Sequence, residues 1–68
     1  MNIDIRNSIK NNFKKSNNNE IFESIENAVS DKDEITLPGL GVFFELLWKE
    51  ASNTEKNSII EKIKKGLL

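Results

Sequence analysis

Apolar residues recur at helical spacing in four stretches of the chain, and polar stretches separate them. In the first, Ile5, Ile9 and Phe13 recur every four residues and form one narrow stripe. This stripe predicts an amphipathic helix over roughly residues 3 to 14. The polar run at 16–19 ends it, because Ser and Asn side chains compete for backbone hydrogen bonds.

A second helix is predicted to begin at Asn17 or Asn18 and to end near Ser30. Either asparagine can cap the start, and Glu20 lies near the positive end of the helix dipole. One face of this helix is apolar and the opposite face is acidic. The apolar positions are Ile21, Phe22, Ile25, Ala28 and Val29.

Residues 31–38 interrupt the helical pattern with a charged loop, and Leu37 is biased towards extended geometry because a proline follows it. Residues 35–37 have no partner strand elsewhere, so no sheet is expected. From Leu40 onward the chain is apolar around most of a helix, and Val42 and Leu46 widen its main face. Such a helix is expected at the centre of the fold.

The start of this third helix combines a proline with two glycines. Pro38 suits a turn or a first helical position, and Gly39 and Gly41 permit angles or close approaches that a Cβ would block. We expect these three residues to set the entry angle of the helix. Most of the core is then predicted to come from Phe43, Phe44, Leu47 and Trp48.

A capping box marks the fourth helix, since Ser52 is followed three residues later by Glu55. Apolar positions 59, 60, 63 and 67 form its stripe, and Gly66 is predicted to stop it. Together the patterns predict one all-α domain over residues 1–68. Its architecture is a compact bundle of four short helices with a central apolar third helix.

Composition sets limits on stability and location. A chain of 68 residues is close to the smallest size at which one core suffices, and without Cys no disulfide can staple it. No apolar run approaches the ~20 residues of a membrane span, and the N-terminus lacks a basic region followed by an apolar stretch. We therefore expect a protein that stays inside the cell and has no membrane partner.

Charge is nearly balanced overall but is segregated along the chain. The net charge is −1, which argues against non-specific nucleic-acid binding through a global positive field. Residues 1–16 carry four basic side chains and one acidic, whereas residues 17–34 carry one basic and six acidic. This segregation favours packing the first two helices together, or pairing two copies head to tail.

The segment at 37–45 reads LPGLGVFFE, and Trp48 follows it. It resembles the signature LPGLGVLFE followed by Trp of the I family of small acid-soluble spore proteins. Residues 5–7 also resemble that family's LRNAV or LRHAV start, residues 20–30 its second helix, and residues 51–68 its charged closing helix. The chain departs from that signature at Phe43, and Leu46, Leu47 and the Lys/Asn-rich residues 10–19 are further departures from the family. The resemblance implies a protein made in the forespore and kept in the spore core, with no assigned activity or binding site.

Two kinds of binding surface can be named from the residues. Arg6, Lys10 and Lys14 are spaced to form a basic ridge on helix one, which could bind nucleic acid weakly and in a salt-sensitive way. The second is a protein interface at surplus apolar positions of helix three, for a homodimer or another spore-core protein. Its residues are Val42, Leu46 and Trp48, unless the other helices bury them.

Enzymatic chemistry is not expected. The chain has no His, Cys or Tyr, so the usual bases, thiol nucleophiles and transition-metal ligands are missing. Glu45 is the one carboxylate among large apolar residues, where burial would raise its pKa, but a single Glu is no catalytic site. No cofactor, metal or small-molecule ligand is predicted. A role as an amino-acid reserve at germination needs no site at all.

Overall fold

The computed structural model describes residues 4–31 and 34–68, and within them the chain forms four α-helices and no strand. The helices are α1 (Ile5–Phe13), α2 (Asn18–Ser30), α3 (Leu37–Glu50) and α4 (Asn53–Leu67). A 3₁₀ turn at Glu34–Thr36 leads directly into α3. Because α1, α2 and this turn all pack on α3, the predicted all-α fold with a central third helix is confirmed.

Side-chain caps begin three of the helices. Asp4 accepts a hydrogen bond from the amide of Asn7 at the start of α1. Asn17 accepts from the Glu20 amide at 2.8 Å, and the Glu20 carboxylate accepts from the Asn17 amide. The predicted capping box before α4 is confirmed, with Ser52 and the residue three positions on exchanging the same two bonds. These starts are therefore determined by residues within one turn of each other.

Two predicted boundaries are wrong. Leu37 is helical instead of extended, so α3 begins three residues before the predicted apolar face. Packing of α3 on its neighbours outweighs the local bias, and Pro38 lies in the first turn, where its missing N–H costs no helical hydrogen bond. Thr36 also donates a 3.4 Å hydrogen bond to the Ala28 carbonyl, which ties the turn to α2. Gly66 does not stop α4, which continues to residue 67.

The core lies between α1 and α3. Val42 is the one buried side chain among the described residues, at 6 % exposure. Next to it Phe43 meets Phe13 edge to face, with ring centroids 5.0 Å apart. The prediction that Phe44 and Leu47 belong to the core is wrong, because they are 42 % and 50 % exposed. The reason is that α4 is not among the elements packed closely on α3, so this side of α3 stays open.

Gly41 is a helical residue with free space around it. A Cβ added there would meet nothing within 4 Å, and no described glycine has a positive φ. The predicted special-angle or close-approach role of Gly41 is therefore wrong. At Gly39 an added Cβ would lie 3.7 Å from the side chain of Ile9, which is ordinary contact distance and marks where α1 crosses α3.

The position of the core can be tested with two alanine substitutions. Val42→Ala should lower the free energy of unfolding by about 2 kcal/mol, because it removes buried methyl groups and leaves a void. Leu47→Ala should cost less than about 1 kcal/mol, since half of that side chain is already exposed. Urea unfolding at a protein concentration too low for self-association measures both values for the single chain. A larger loss for Leu47→Ala under those conditions would show that its side of α3 is covered within the chain.

A second prediction concerns Gly41. Gly41→Ala should raise the free energy of unfolding by about 0.5–1 kcal/mol, because glycine in a helix interior loses more conformational entropy on folding than alanine. Urea unfolding of the variant beside the wild type checks this. Destabilisation would restore the structural role that the sequence suggested for this glycine.

Candidate functional site

An ion pair joins α1 to α3 beside the core. The Nε of Arg6 donates to Oε2 of Glu45 at 2.7 Å, and Nη2 donates to Oε1 at 2.8 Å. This is the two-pronged geometry in which guanidinium and carboxylate match best. Both side chains are accessible to water, at 66 % and 40 % exposure, so the pair orients the helices more than it stabilises them.

The ion pair determines the charge state of Glu45. The hydrogen bond from Arg6 holds the pKa of Glu45 below its ordinary value, and desolvation opposes this less strongly. Arg6, Lys49 and Lys10 add electrostatic attraction in the same direction. The expectation that burial raises the pKa of Glu45 is therefore wrong. An ionised, salt-bridged carboxylate is a poor general acid or base at neutral pH.

The predicted basic ridge loses one of its three members to this pair. Arg6 is occupied by Glu45, whereas Lys10 and Lys14 lie exposed on α1 and at its C-terminal cap. Two exposed lysines can neutralise two phosphates, which is a small electrostatic contribution to nucleic-acid binding. The ridge remains a prediction of weak binding.

An apolar candidate surface lies between α2 and α3. Its centre is a cleft of about 470 Å³, here called the apolar cleft. The lining residues are Ile25 from α2 and Leu40, Phe43, Phe44 and Leu47 from α3. Every residue that lines it is a large apolar one, so the cleft offers shape and hydrophobic contact and little hydrogen bonding.

Two further apolar side chains extend this surface along α2. Phe22 is 64 % exposed and Val29 is 69 % exposed. Both share a helical face with Ile25, at spacings of three and four residues. The sequence pattern included them in the face that α2 buries. The exposure of these two side chains could have been predicted from the width of the apolar face. Five apolar positions in nine residues are more than one neighbouring helix can cover.

The three residues predicted as a protein interface are not brought together into one exposed patch. Val42 is covered within the chain, and Leu46 and Trp48 are half-buried. The Trp48 ring lies 5.7 Å from the ring of Phe44, and the Lys56 ammonium of α4 sits 5.2 Å from its centroid. Trp48 therefore connects α3 with the first turn of α4, and the open apolar surface begins at Phe44.

Two other kinds of feature bear on what the described residues can bind, namely metal-binding clusters and membrane-spanning helices. In residues 4–31 and 34–68 no group of three or more acidic, Cys or His side chains is placed to hold a metal ion. None of the helices described is both long and apolar enough to cross a membrane. What the arrangement can do is present apolar area and charge to another molecule.

Comparison with known proteins agrees with the sequence signature. The family model described as small, acid-soluble spore protein I matches residues 3–67. A protein of that name from Bacillus velezensis is 37 % identical over 67 residues, covering 98 % of this chain and 94 % of the relative. Proteins of the same name from Halalkalibacterium halodurans and Shouchella clausii are each 39 % identical, covering 98 % of this chain and 98 % and 97 % of the relatives. No solved structure gives a significant match.

The Arg6–Glu45 pair should make part of the stability pH-dependent. The folded pKa of Glu45 lies below its ordinary unfolded value of about 4.3. Its contribution is therefore present above that value and is lost as the pH falls through the folded pKa. In urea unfolding, the stability difference between wild type and Glu45→Gln should shrink as the pH falls from about 7 to about 3.

A double-mutant cycle provides the control for this prediction. In an Arg6→Gln background, Glu45→Gln should have no comparable pH-dependent effect, because the partner that lowers the pKa is gone. The lowered pKa of Glu55, caused by its bonds with Ser52, is common to all variants and cancels. A wild-type difference that stays constant with pH would contradict the pairing.

Proposed function

Because the chain belongs to the small, acid-soluble spore protein I family, we propose that it is a non-enzymatic protein of the spore core that binds protein through its apolar cleft. Family membership itself associates the chain with the spore. The proposal adds synthesis in the forespore, residence in the core and action through contact. The observation that carries it is the exposure of large apolar side chains on α2 and α3 of so small a domain.

Exposed apolar area at this density supports a binding role. Phe22, Val29, Phe44 and Leu47 are all at least 42 % exposed and lie in or beside the apolar cleft. Single exposed apolar residues are ordinary on a protein surface, whereas a contiguous group marks an interaction site. Covering a large side chain of this kind contributes about 1.5–3 kcal/mol when burial is complete. A protein partner can supply that burial.

Two observations support a non-enzymatic role. The chain contains no His, Cys or Tyr, so imidazole, thiol and phenol groups are not available for proton transfer or nucleophilic attack. Glu45, the carboxylate that the sequence singled out, is ionised and held by Arg6. The chemistry on the described surface is therefore that of recognition.

Nucleic-acid binding is the alternative that the basic ridge offers. Lys10 and Lys14 would contact phosphates, but Arg6 is already paired with a carboxylate. The adjoining helix α2 carries three glutamates and no basic residue, and it would repel a phosphate backbone. The electrostatics of the described chain thus favour protein over nucleic acid as the partner.

Photo-crosslinking in developing forespores tests the proposal at two matched positions. Leu47→p-benzoylphenylalanine places an apolar probe in the cleft, where the native side chain is half exposed. Asn11→p-benzoylphenylalanine places the same probe on α1 beside Lys10, at an exposed position. Irradiation should yield a discrete protein adduct from position 47 and none from position 11, as read by gel and mass spectrometry.

Any other crosslinking result would contradict the proposal. Adducts with nucleic acid from position 11 would favour the ridge on α1. The absence of adducts from both positions would favour an amino-acid reserve, which needs no partner. Far-ultraviolet circular dichroism of both purified variants verifies that the helices have formed.

A further inference from the structure

We propose that the partner of the apolar cleft is a second copy of this chain, with α4 of each copy lying in the cleft of the other. The inference rests on the proposed function, since it takes the cleft to be a protein-binding site and names the occupant. It commits to a symmetric homodimer held by two equivalent helix-in-groove contacts.

The surface area of the chain is too large for a closed monomer. A compact monomer of 7.8 kDa exposes about 4,400 Å². This chain exposes 6153 Å², a surplus of about 1,800 Å². Its radius of gyration, 13.3 Å, likewise exceeds the ~11 Å typical of a compact domain of this length. A standard interface needs about 800 Å² from each partner, so the surplus is ample for a dimer.

The helix α4 has the shape of a ligand for such a cleft. Its apolar stripe recurs at positions 59, 60, 63 and 67, the spacing by which amphipathic helices bind grooves. Ile60 and Ile63 are 42 % and 44 % exposed, and Leu67 is 78 % exposed. This helix is not among the elements packed closely on α3, and therefore most of its stripe remains available.

At its start α4 is tied to the end of α3 in its own chain. The Ser52 capping box fixes its first turn, and the Lys56 ammonium lies over the Trp48 ring at the end of α3. Only Ala51 and Ser52 separate the two helices. With this junction formed the stripe of α4 is mostly exposed, and a second copy can supply α4 to the cleft without changing the junction.

Charge complementarity favours the same arrangement. From residue 18 to 30, α2 carries Glu20, Glu23 and Glu26 and no basic residue. By helical position Glu26 borders the exposed Phe22 and Val29, whereas Glu23 lies on the far side of α2 and adds only to its negative field. Among the described residues, neither glutamate forms an ion pair.

Lys62 and Lys64 flank the two edges of the apolar stripe on α4 by their helical positions. Lys64 also lies 3.8 Å from the carboxylate of Glu61 on the same helix, in an exposed pair that leaves its ammonium accessible. An α4 placed beside α2 would therefore bring opposite charges to the rim of an apolar contact, as at ordinary interfaces.

Symmetry limits the assembly to two chains. Each copy has one α4 and one apolar cleft. When each α4 lies in the cleft of the other copy, both clefts are filled and both helices are covered. The resulting interface is isologous and closed. A one-way contact would instead leave a free cleft and a free helix at the ends, and would continue into larger assemblies.

Charge reversal distinguishes contact between chains from closure within one chain. One variant carries Glu23→Lys and Glu26→Lys, and a second carries Lys62→Glu and Lys64→Glu. By sedimentation equilibrium the wild type should be dimeric at micromolar concentration, and each variant alone should dimerise at least about tenfold more weakly. An equimolar mixture should restore the dimer, because both contacts in the mixed pair join opposite charges.

Matched controls separate this effect from net charge and from unfolding. Lys10→Glu with Lys14→Glu changes the net charge as much as the α4 variant does, but should leave the dimer intact. On α4, Ile63→Asp should abolish dimerisation, whereas Ser58→Asp on the opposite face should not. Circular dichroism should show equal helix content, since Ile63 is 44 % exposed in the monomer.

The remaining outcomes overturn the inference in distinguishable ways. Weakened variants that mixing fails to restore would mean that α4 closes on its own chain. A wild type that stays monomeric, together with a position-47 adduct to a different protein, would overturn the homodimer and leave the proposed function standing. A monomer without any adduct would overturn both.

Discussion

The packing of α1 across α3 is the interaction on which the rest of this structure depends. It contains the buried Val42, the Phe13–Phe43 ring contact and the crossing of Ile9 over Gly39. The Arg6–Glu45 ion pair also joins these two helices, with the positive group on α1 and the negative group on α3. Since α2 and the 3₁₀ turn also pack on α3, the position of α3 against α1 determines where every other apolar face lies.

A chain of this size cannot cover a helix that is apolar on almost all sides. The neighbours of α3 cover the side around Val42 and Phe43 and leave Phe44 and Leu47 in contact with water. The fourth helix would be the natural cover, but its first turn is fixed at Trp48 and its stripe remains exposed. The same constraint thus produces a small core, an open cleft and an unpaired amphipathic helix.

The sequence predicted what depends on local interactions and missed what depends on packing. The Ser52 capping box was predictable because its two members are three residues apart. The covered side of α3 was not, since nearly every position of that helix is apolar and periodicity cannot rank them. The charge segregation suggested pairing of helix one with helix two, whereas the observed ion pair joins helix one to Glu45, 39 residues from Arg6. Only the three-dimensional crossing selects that partner.

The residues of the segment at 37–48 have two physical roles on α3. Pro38 lies in the first turn, Gly39 lies at the α1 crossing, and Val42 with Phe43 forms the core, so folding of one chain accounts for them. Folding of one chain does not account for Phe44 and Leu47, which expose apolar area that a polar residue would present at lower cost. Large apolar side chains beside a basic amphipathic helix and an acidic one are understandable if the folded chain is half of an interface. On the proposed homodimer, this segment of the chain specifies a contact as well as a fold.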